Sequence, residues 1–134
     1  MTSFVLVHGA FRGGWAWGRV RRLLSAQGHE VFSPSLTGMG DRAHLRPEPL
    51  GLSVWVDDVV ALVVTEDLTD VVLVGHSQGG MVISAVAERL PGPLAHLVYL
   101  DAPVAQPGDR GVDLSGPLPP GVDLPGAETQ PRAR

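Results

Sequence analysis

The sequence has no cysteine and no lysine; all ten basic residues are arginine. Without cysteine the chain can form no disulfide, no thiolate nucleophile and no thiolate metal site. No apolar run approaches the ~18 residues that a membrane span requires. The first strand-like stretch, FVLV, breaks at once into HGA, without the basic region, long apolar core and cleavage site of a signal peptide. A soluble, cytoplasmic protein with no membrane partner is therefore expected. The formal charge of −4 leaves no basic face to follow phosphates, which excludes nucleic acid as a partner. There are no internal repeats, and neither a metal site nor a cofactor is expected.

What is present is one domain's worth of chain, 134 residues with 44% apolar content, enough for a core. Short apolar runs alternate with longer amphipathic segments. Phe4 to Val7 reads as a buried strand, too short and β-rich for a helix. Trp15 to Gln27 carries Trp17, Val20, Leu23 and Leu24 at helical spacing and ends on Gly28, a candidate C-cap. EVFSPSL is a second strand, leading into the Gly- and Pro-containing loop TGMGDRAHLRPEPLGL. Ser53 is the candidate N-cap of a helix to about Glu66, with Asp57 and Asp58 in its first turn, where the helix dipole favours anions. VVLVG is a third strand, Gly79 to Leu90 a helix and LAHLVYL a fourth strand. Beyond Ala102 lie seven of the twelve prolines with no periodicity, which reads as linker or disorder. Strand and helix in alternation imply an α/β fold with right-handed crossovers: a parallel sheet of about four strands, helices on both faces.

In such sheets reactive groups gather beyond the carboxyl ends of the strands. Two loops qualify: His8-Gly9-Ala10-Phe11 after the first strand, and Gly75-His76-Ser77-Gln78-Gly79 after the third. A serine between glycines two positions away on either side suits a sharp strand-to-helix turn, because the strained backbone leaves no room for larger neighbours. The turn lifts the Ser77 hydroxyl off the sheet at a helix N-terminus. Backbone N–H groups at Gln78 and in the Ala10-Phe11 region then point at a developing oxyanion. The two loops must be neighbours for this chemistry, so the expected strand order is second, first, third, fourth.

FVLVHGAFRGGWAW, LTGMGDRAHL, DVVLVGHSQGGMVI and LVYLDA, taken together and in order, resemble the α/β-hydrolase superfamily, and within it the small esterases that include plant methylesterases, hydroxynitrile lyases and bacterial pyrethroid-hydrolase-like carboxylesterases. The likeness covers residues 3 to about 105. It implies an N-terminal part of an α/β-hydrolase domain over residues 1–105 and a disordered Pro/Gly-rich tail over 106–134. It implies that Ser77 is the nucleophile, that the amides of Ala10 and Gln78 form the oxyanion hole, and that the loop from Gly38 to Leu45 borders the substrate entrance. His8, Gly9, Gly75, His76 and Gly79 are structural residues near the site. Cyanohydrin-cleaving members carry threonine directly after the loop histidine, where this chain has Gly9, which favours ester hydrolysis over lysis.

The departure from the family lies downstream. The order in these hydrolases is serine, acid, histidine, and no histidine follows His96. His96 opens its strand, roughly 16 Å from the carboxyl end at ~3.3 Å per residue. His8 braces the oxyanion loop by resemblance, His76 leaves the elbow in another direction, and His29 begins a strand and is surface-exposed. His44, on a loop able to cover the site, is the least implausible substitute base. Asp101, at the end of the fourth strand, is the candidate acid, weighed against a plain turn cap. Asp41 and Arg42 read as loop solvation and pairing. The expectation is a serine hydrolase acting on small-molecule carboxylic esters through an acyl-serine intermediate, truncated and weakly active or inactive as given, with an unrelated tail. The alternative is a non-catalytic small-molecule or partner-binding module. The bare edge of LAHLVYL predicts self-association or a partner that completes the sheet.

Overall fold

The computed structural model describes residues 1–102 and 104. Four strands, β1 (Ser3–Val7), β2 (Glu30–Phe32), β3 (Val71–His76) and β4 (Leu94–Leu100), form one parallel sheet in the order β2-β1-β3-β4. This is the expected order, and in it β1 and β3 are neighbours, as the adjacency of the two loops requires. Val7 lies opposite Gly75, so the chain leaves β1 and β3 side by side at their carboxyl ends.

Helix α1 (Gly18–Ala26) is preceded by a separate 3-10 turn, Gly14–Trp17, so the segment expected as one helix is two pieces. Its end is as expected. Gly28 adopts φ +87, and the Gly28 and His29 N–H groups donate to the carbonyls of Ser25 and Leu24 at 3.0 and 3.2 Å, the bond pair of a Schellman cap. Strand β2 has only three residues, shorter than EVFSPSL; Pro34 has no N–H for a ladder, and the chain after Phe32 bonds to loops instead.

Helix α2 (Leu52–Thr65) begins before the expected Ser53 cap, which lies inside it; Gly51 precedes it in extended conformation with no side-chain cap. Asp57 and Asp58 therefore stand in the second turn, beyond the reach of the helix dipole. Asp57 pairs with Arg89 at the end of α3 (Gly79–Arg89), and Asp58 turns to the loop after β2.

Side chains alternate across β3 because successive Cβ atoms point to opposite faces. Val71, Leu73 and Gly75 are buried, whereas Val72, Val74 and His76 are half-buried. The buried set joins Val56, Val59 and Val63 of α2 and Met81, Val82, Ile83 and Val86 of α3 in one core. On the other face Leu6 and Trp17 are buried beside β1, but α1 contributes no buried residue. That face closes over β1 and opens towards β4. Among the described residues no helix is long and apolar enough to cross a membrane. Residues 106–134, the segment expected to be a disordered tail, lie outside the described residues.

Candidate active site

Ser77 sits at φ +53, a left-handed conformation that costs a side-chain-bearing residue about 1–2 kcal/mol. It is held there by contacts that only glycine permits. A Cβ on Gly75 would lie 2.6 Å from the Gly79 carbonyl oxygen, and one on Gly79 would lie 2.6 Å from the Val7 carbonyl oxygen. The Ser77 N–H donates to the Leu100 carbonyl at 3.3 Å, and its own carbonyl accepts from Gly80 at 2.9 Å as α3 begins. The side chain is half-buried at the head of the sheet.

The loop after β1 packs directly on this turn. A Cβ on Gly9 would lie 3.1 Å from Ser77 Cβ and 3.3 Å from His76 Nδ1. Glycine at position 9 therefore brings backbone, with no side chain between, up to the serine. Ala10 follows, and then Phe11, at φ +61 with its ring in solvent. Among the described residues neither the Ala10 nor the Gln78 N–H donates to any acceptor. Both donors flank the elbow with their hydrogen bonds unspent.

His8 is fully buried, and both ring nitrogens are committed. Nδ1 lies 2.7 Å from the Gly9 carbonyl oxygen, an acceptor, so Nδ1 carries the proton. Nε2 accepts the Leu36 N–H at 2.9 Å. Burial pushes the His8 pKa below its ordinary value, opposed by the Gly9 carbonyl and the Asp41 charge. A second proton would set Nε2–H against the Leu36 N–H, so the ring is a neutral brace between the β1 and β2 loops, not a base.

Further bonds extend this brace. Ser35 Oγ accepts the Gly14 N–H at 2.9 Å and donates to Asp41; that hydroxyl, with smaller help from Arg42, holds the Asp41 carboxyl below its usual range. Asp58 accepts the Thr37 N–H and hydroxyl, both at 2.7 Å, and an Arg42 guanidinium N–H at 3.3 Å. Trp55 Nε1–H donates to the Thr37 carbonyl at 2.9 Å. Sequence reasoning missed Asp58 and Trp55 as supports of the site. Their signal was present, a carboxylate on the apolar face of a helix, but placing the helix start at Ser53 assigned it to the dipole.

The remaining histidines are dispersed. His76 meets Trp17 edge-on, ring centroids 6.4 Å apart, on the α1 face. His96 is paired with Val72 towards the amino end of β4 and is exposed. His44 is exposed on the loop beside Asp41. His29, expected at the surface, is half-buried, accepts the Thr2 N–H at 3.1 Å and stacks edge-on with Phe4. Asp101 follows the Leu100 carbonyl that holds Ser77, at φ +46 and exposed, with no hydrogen bond to a histidine among the described residues. The structure thus brings Ser77, Gly9, Ala10 and Gln78 together and leaves the candidate acid beside them without a histidine partner among the described residues.

The sheet is parallel, with a strained serine turn at its carboxyl edge and a glycine-led loop packed against it. The chain belongs to the α/β hydrolase family, whose model matches residues 4–134. That match continues through the Pro/Gly-rich segment, so the reading of an unrelated tail is corrected. The chain is 47% identical over 123 residues to a carbendazim hydrolyzing esterase of Nocardioides sp. (strain SG-4G), covering 91% of this chain and 51% of the relative. It is 36% identical over 111 residues to a pyrethroid hydrolase of Sphingobium wenxiniae, covering 81% and 38%. An extracellular α/β-hydrolase from a Paenibacillus species superposes with a TM-score of 0.75 at 29% identity, covering 82% of this chain and 44% of that one. The chain spans about half or less of the length of these relatives.

Proposed function

We propose that the chain carries the nucleophile and oxyanion-binding part of a serine esterase that acts on small-molecule carboxylic esters. One observation carries this reading: Ser77 is locked in a left-handed turn by backbone contacts at Gly75 and Gly79, with the Gly9 backbone laid against it. Ser77 Oγ attacks the ester carbonyl carbon, the carbonyl π pair moves onto oxygen, and the N–H groups of Ala10 and Gln78 stabilise that oxyanion without reorganising. Collapse breaks the ester C–O bond; the alkoxide takes up the proton that Ser77 Oγ gave up on attack and leaves as the alcohol, and Ser77 is acylated. Water then attacks the acyl-serine, releasing the carboxylic acid and the free hydroxyl. The two relatives named as esterase and hydrolase support this substrate class.

The serine proton is the weak point. His8 is fully committed, and no histidine among the described residues is bonded to Ser77. Loss of one triad member removes most of the triad's contribution and leaves about 10³ to 10⁴ over water from oxyanion hole and binding. The chain as given is therefore weakly active, and Asp101 is its proposed acid only where a histidine is supplied. The same observation favours the second reading, a module that binds a small molecule or partner without turning it over.

The test is hydrolysis of p-nitrophenyl acetate by the purified chain and its Ser77→Ala variant, with acylation followed by intact mass. Slow, stoichiometric acylation confined to the chain with Ser77 supports the esterase reading. Turnover at ordinary enzyme rates, about 1 to 10³ per second, that depends on Ser77 would show that a base is in place, with His44 the first to mutate. Identical behaviour of the two proteins would overturn the role of Ser77.

A further inference from the structure

The span that carries the Ala10 N–H is pinned at both ends from one place. At its start the His8 ring accepts the Leu36 N–H at 2.9 Å. At its end the Gly14 N–H donates to Ser35 Oγ at 2.9 Å. Ser35 and Leu36 are adjacent, so neighbouring residues of the loop after β2 hold the two ends of the loop after β1. Between the anchors Phe11 and Arg12 are exposed, so the course of the span depends on its anchors more than on packing.

The two anchors differ in how their chemistry is secured. His8 is buried, and its Nδ1 proton is committed to the Gly9 carbonyl. A serine hydroxyl carries one proton on a rotor and can turn either that proton or a lone pair towards Gly14. Only the lone pair bonds the Gly14 N–H. Asp41 decides the matter: its Oδ1 accepts the Ser35 proton, and an ionised carboxylate can only accept. The same bond is the largest cause that holds the Asp41 carboxyl below its usual range. Backbone geometry brings the groups together. Gly40, at φ +54, opens the 3-10 turn Gly40–Arg42, and a Cβ there would lie 2.6 Å from Ser35 Oγ and 2.8 Å from Gly13 Cα. Glycine at positions 13 and 40 thus lets the loop that carries Asp41 close on both Ser35 and the end of the span. Asp41 itself is exposed and takes no part in the core.

We propose that Asp41 is a positioning residue for the oxyanion site: by taking the Ser35 proton it keeps Ser35 Oγ as the acceptor that anchors Gly14, and so sets where the Ala10 N–H stands against Ser77. This rests on the esterase reading of Ser77, and Asp41 acts through Ser35, not on the ester.

The test follows acylation by p-nitrophenyl acetate in the full chain and in its Asp41→Ala, Asp41→Asn and Ser35→Ala variants, with the Asp41→Ala/Ser35→Ala double variant closing a cycle. Asp41→Ala should slow acylation of Ser77 about tenfold, less than the roughly 10² to 10³ that removal of an oxyanion donor costs, because the donor is displaced and not lost. Asp41→Asn, whose side-chain oxygen still accepts the Ser35 proton, should restore most of the rate. Ser35→Ala should match Asp41→Ala, and the double variant should be no slower than either, because the two side chains act on one anchor. In ¹⁵N-labelled chains the Ala10 and Gly14 amide signals should move together in Asp41→Ala and return in Asp41→Asn. Normal acylation of Asp41→Ala, equal losses in Asp41→Ala and Asp41→Asn, or additive losses in the double variant would each overturn the proposal and leave Ser77 as the nucleophile. Absence of acylation in the unaltered chain would overturn the esterase reading and this proposal with it.

Discussion

The two faces of one sheet are finished to different degrees. On the α2/α3 face, Val59, Ile83 and Leu73 are wholly buried in a continuous core. On the α1 face a nine-residue helix buries none of its residues, and exposure rises from β1 to β4. Both faces are built from β-branched and aliphatic side chains, so composition does not separate them. Among the described residues, what separates them is the number of helices laid across each. The difference teaches that the geometry around Ser77 is supported from one side: the elbow leads into α3, whose apolar residues are sunk in the finished core, and the Gly9 loop is tied through His8 to the β2 loop.

The largest effect that can test this comparison is a pair of truncations. Ile83→Ala should cost about 2–5 kcal/mol, as large-to-small changes in packed cores do, whereas Leu23→Ala should cost less than about 0.5 kcal/mol, as at open surface. Urea unfolding of both variants measures this, and equal costs would mean that the α1 face is packed after all. Next comes the turn itself. Gly75→Ala drives a Cβ to 2.6 Å from the Gly79 carbonyl oxygen, whereas Gly92→Ala meets nothing within 4 Å. The first should destabilise by about 1–3 kcal/mol and abolish acylation of Ser77, while the second leaves both unchanged.

A smaller effect is expected at the loop support. Asp58→Ala removes the acceptor for the Thr37 N–H and hydroxyl and the partner of Arg42, at a cost of about 1–3 kcal/mol. Hydrogen exchange should quicken at Thr37 and Leu36 before it does in α3; uniform quickening would show that the loops and the core open together. The smallest effect is a pH slope. The folded-state pKa of His8 lies below the ordinary 6.5, so the unfolded chain binds more protons between the two values. The His8 contribution is complete above pH 6.5 and is lost as pH falls from there through the folded value. Asp41, held below 3.8, adds a separate loss only in more acid solution. A His8→Gln variant should lack the first of these slopes, and its persistence would assign the slope to another group.

Much of the site was legible because its constraints are local. G-H-S-Q-G specifies a turn through which only glycine backbone can pass, and the pairing of β1 with β3 follows once the Gly9 and Ser77 loops must touch. β4 was readable to the residue because the apolar run LAHLVYL is set off by Pro91 and Pro93 before it and Asp101 after it. What was not legible depends on tertiary partners. The start of α2 at Leu52 has no capping side chain to announce it, and β2 stops at Phe32 where the following backbone N–H groups of Leu36 and Thr37 bond across to His8 and Asp58. Nothing in D-D distinguishes a carboxylate that reaches Arg89 from one that clasps Thr37. The opening of the α1 face is a property of what covers a sheet, which strand periodicity does not encode.

The two committed nitrogens of His8 also turn the ring into a built-in reporter. With Nδ1 protonated and Nε2 accepting from Leu36, the imidazole is frozen in one tautomer only while the loops after β1 and β2 are joined. Its two ¹⁵N resonances should then be widely separated and insensitive to pH near neutrality. A free imidazole would give averaged signals that titrate. One side chain, read without substrate or inhibitor, thus registers whether the proposed oxyanion loop is assembled. The same signal would reveal any event at the neighbouring elbow that loosens the loop.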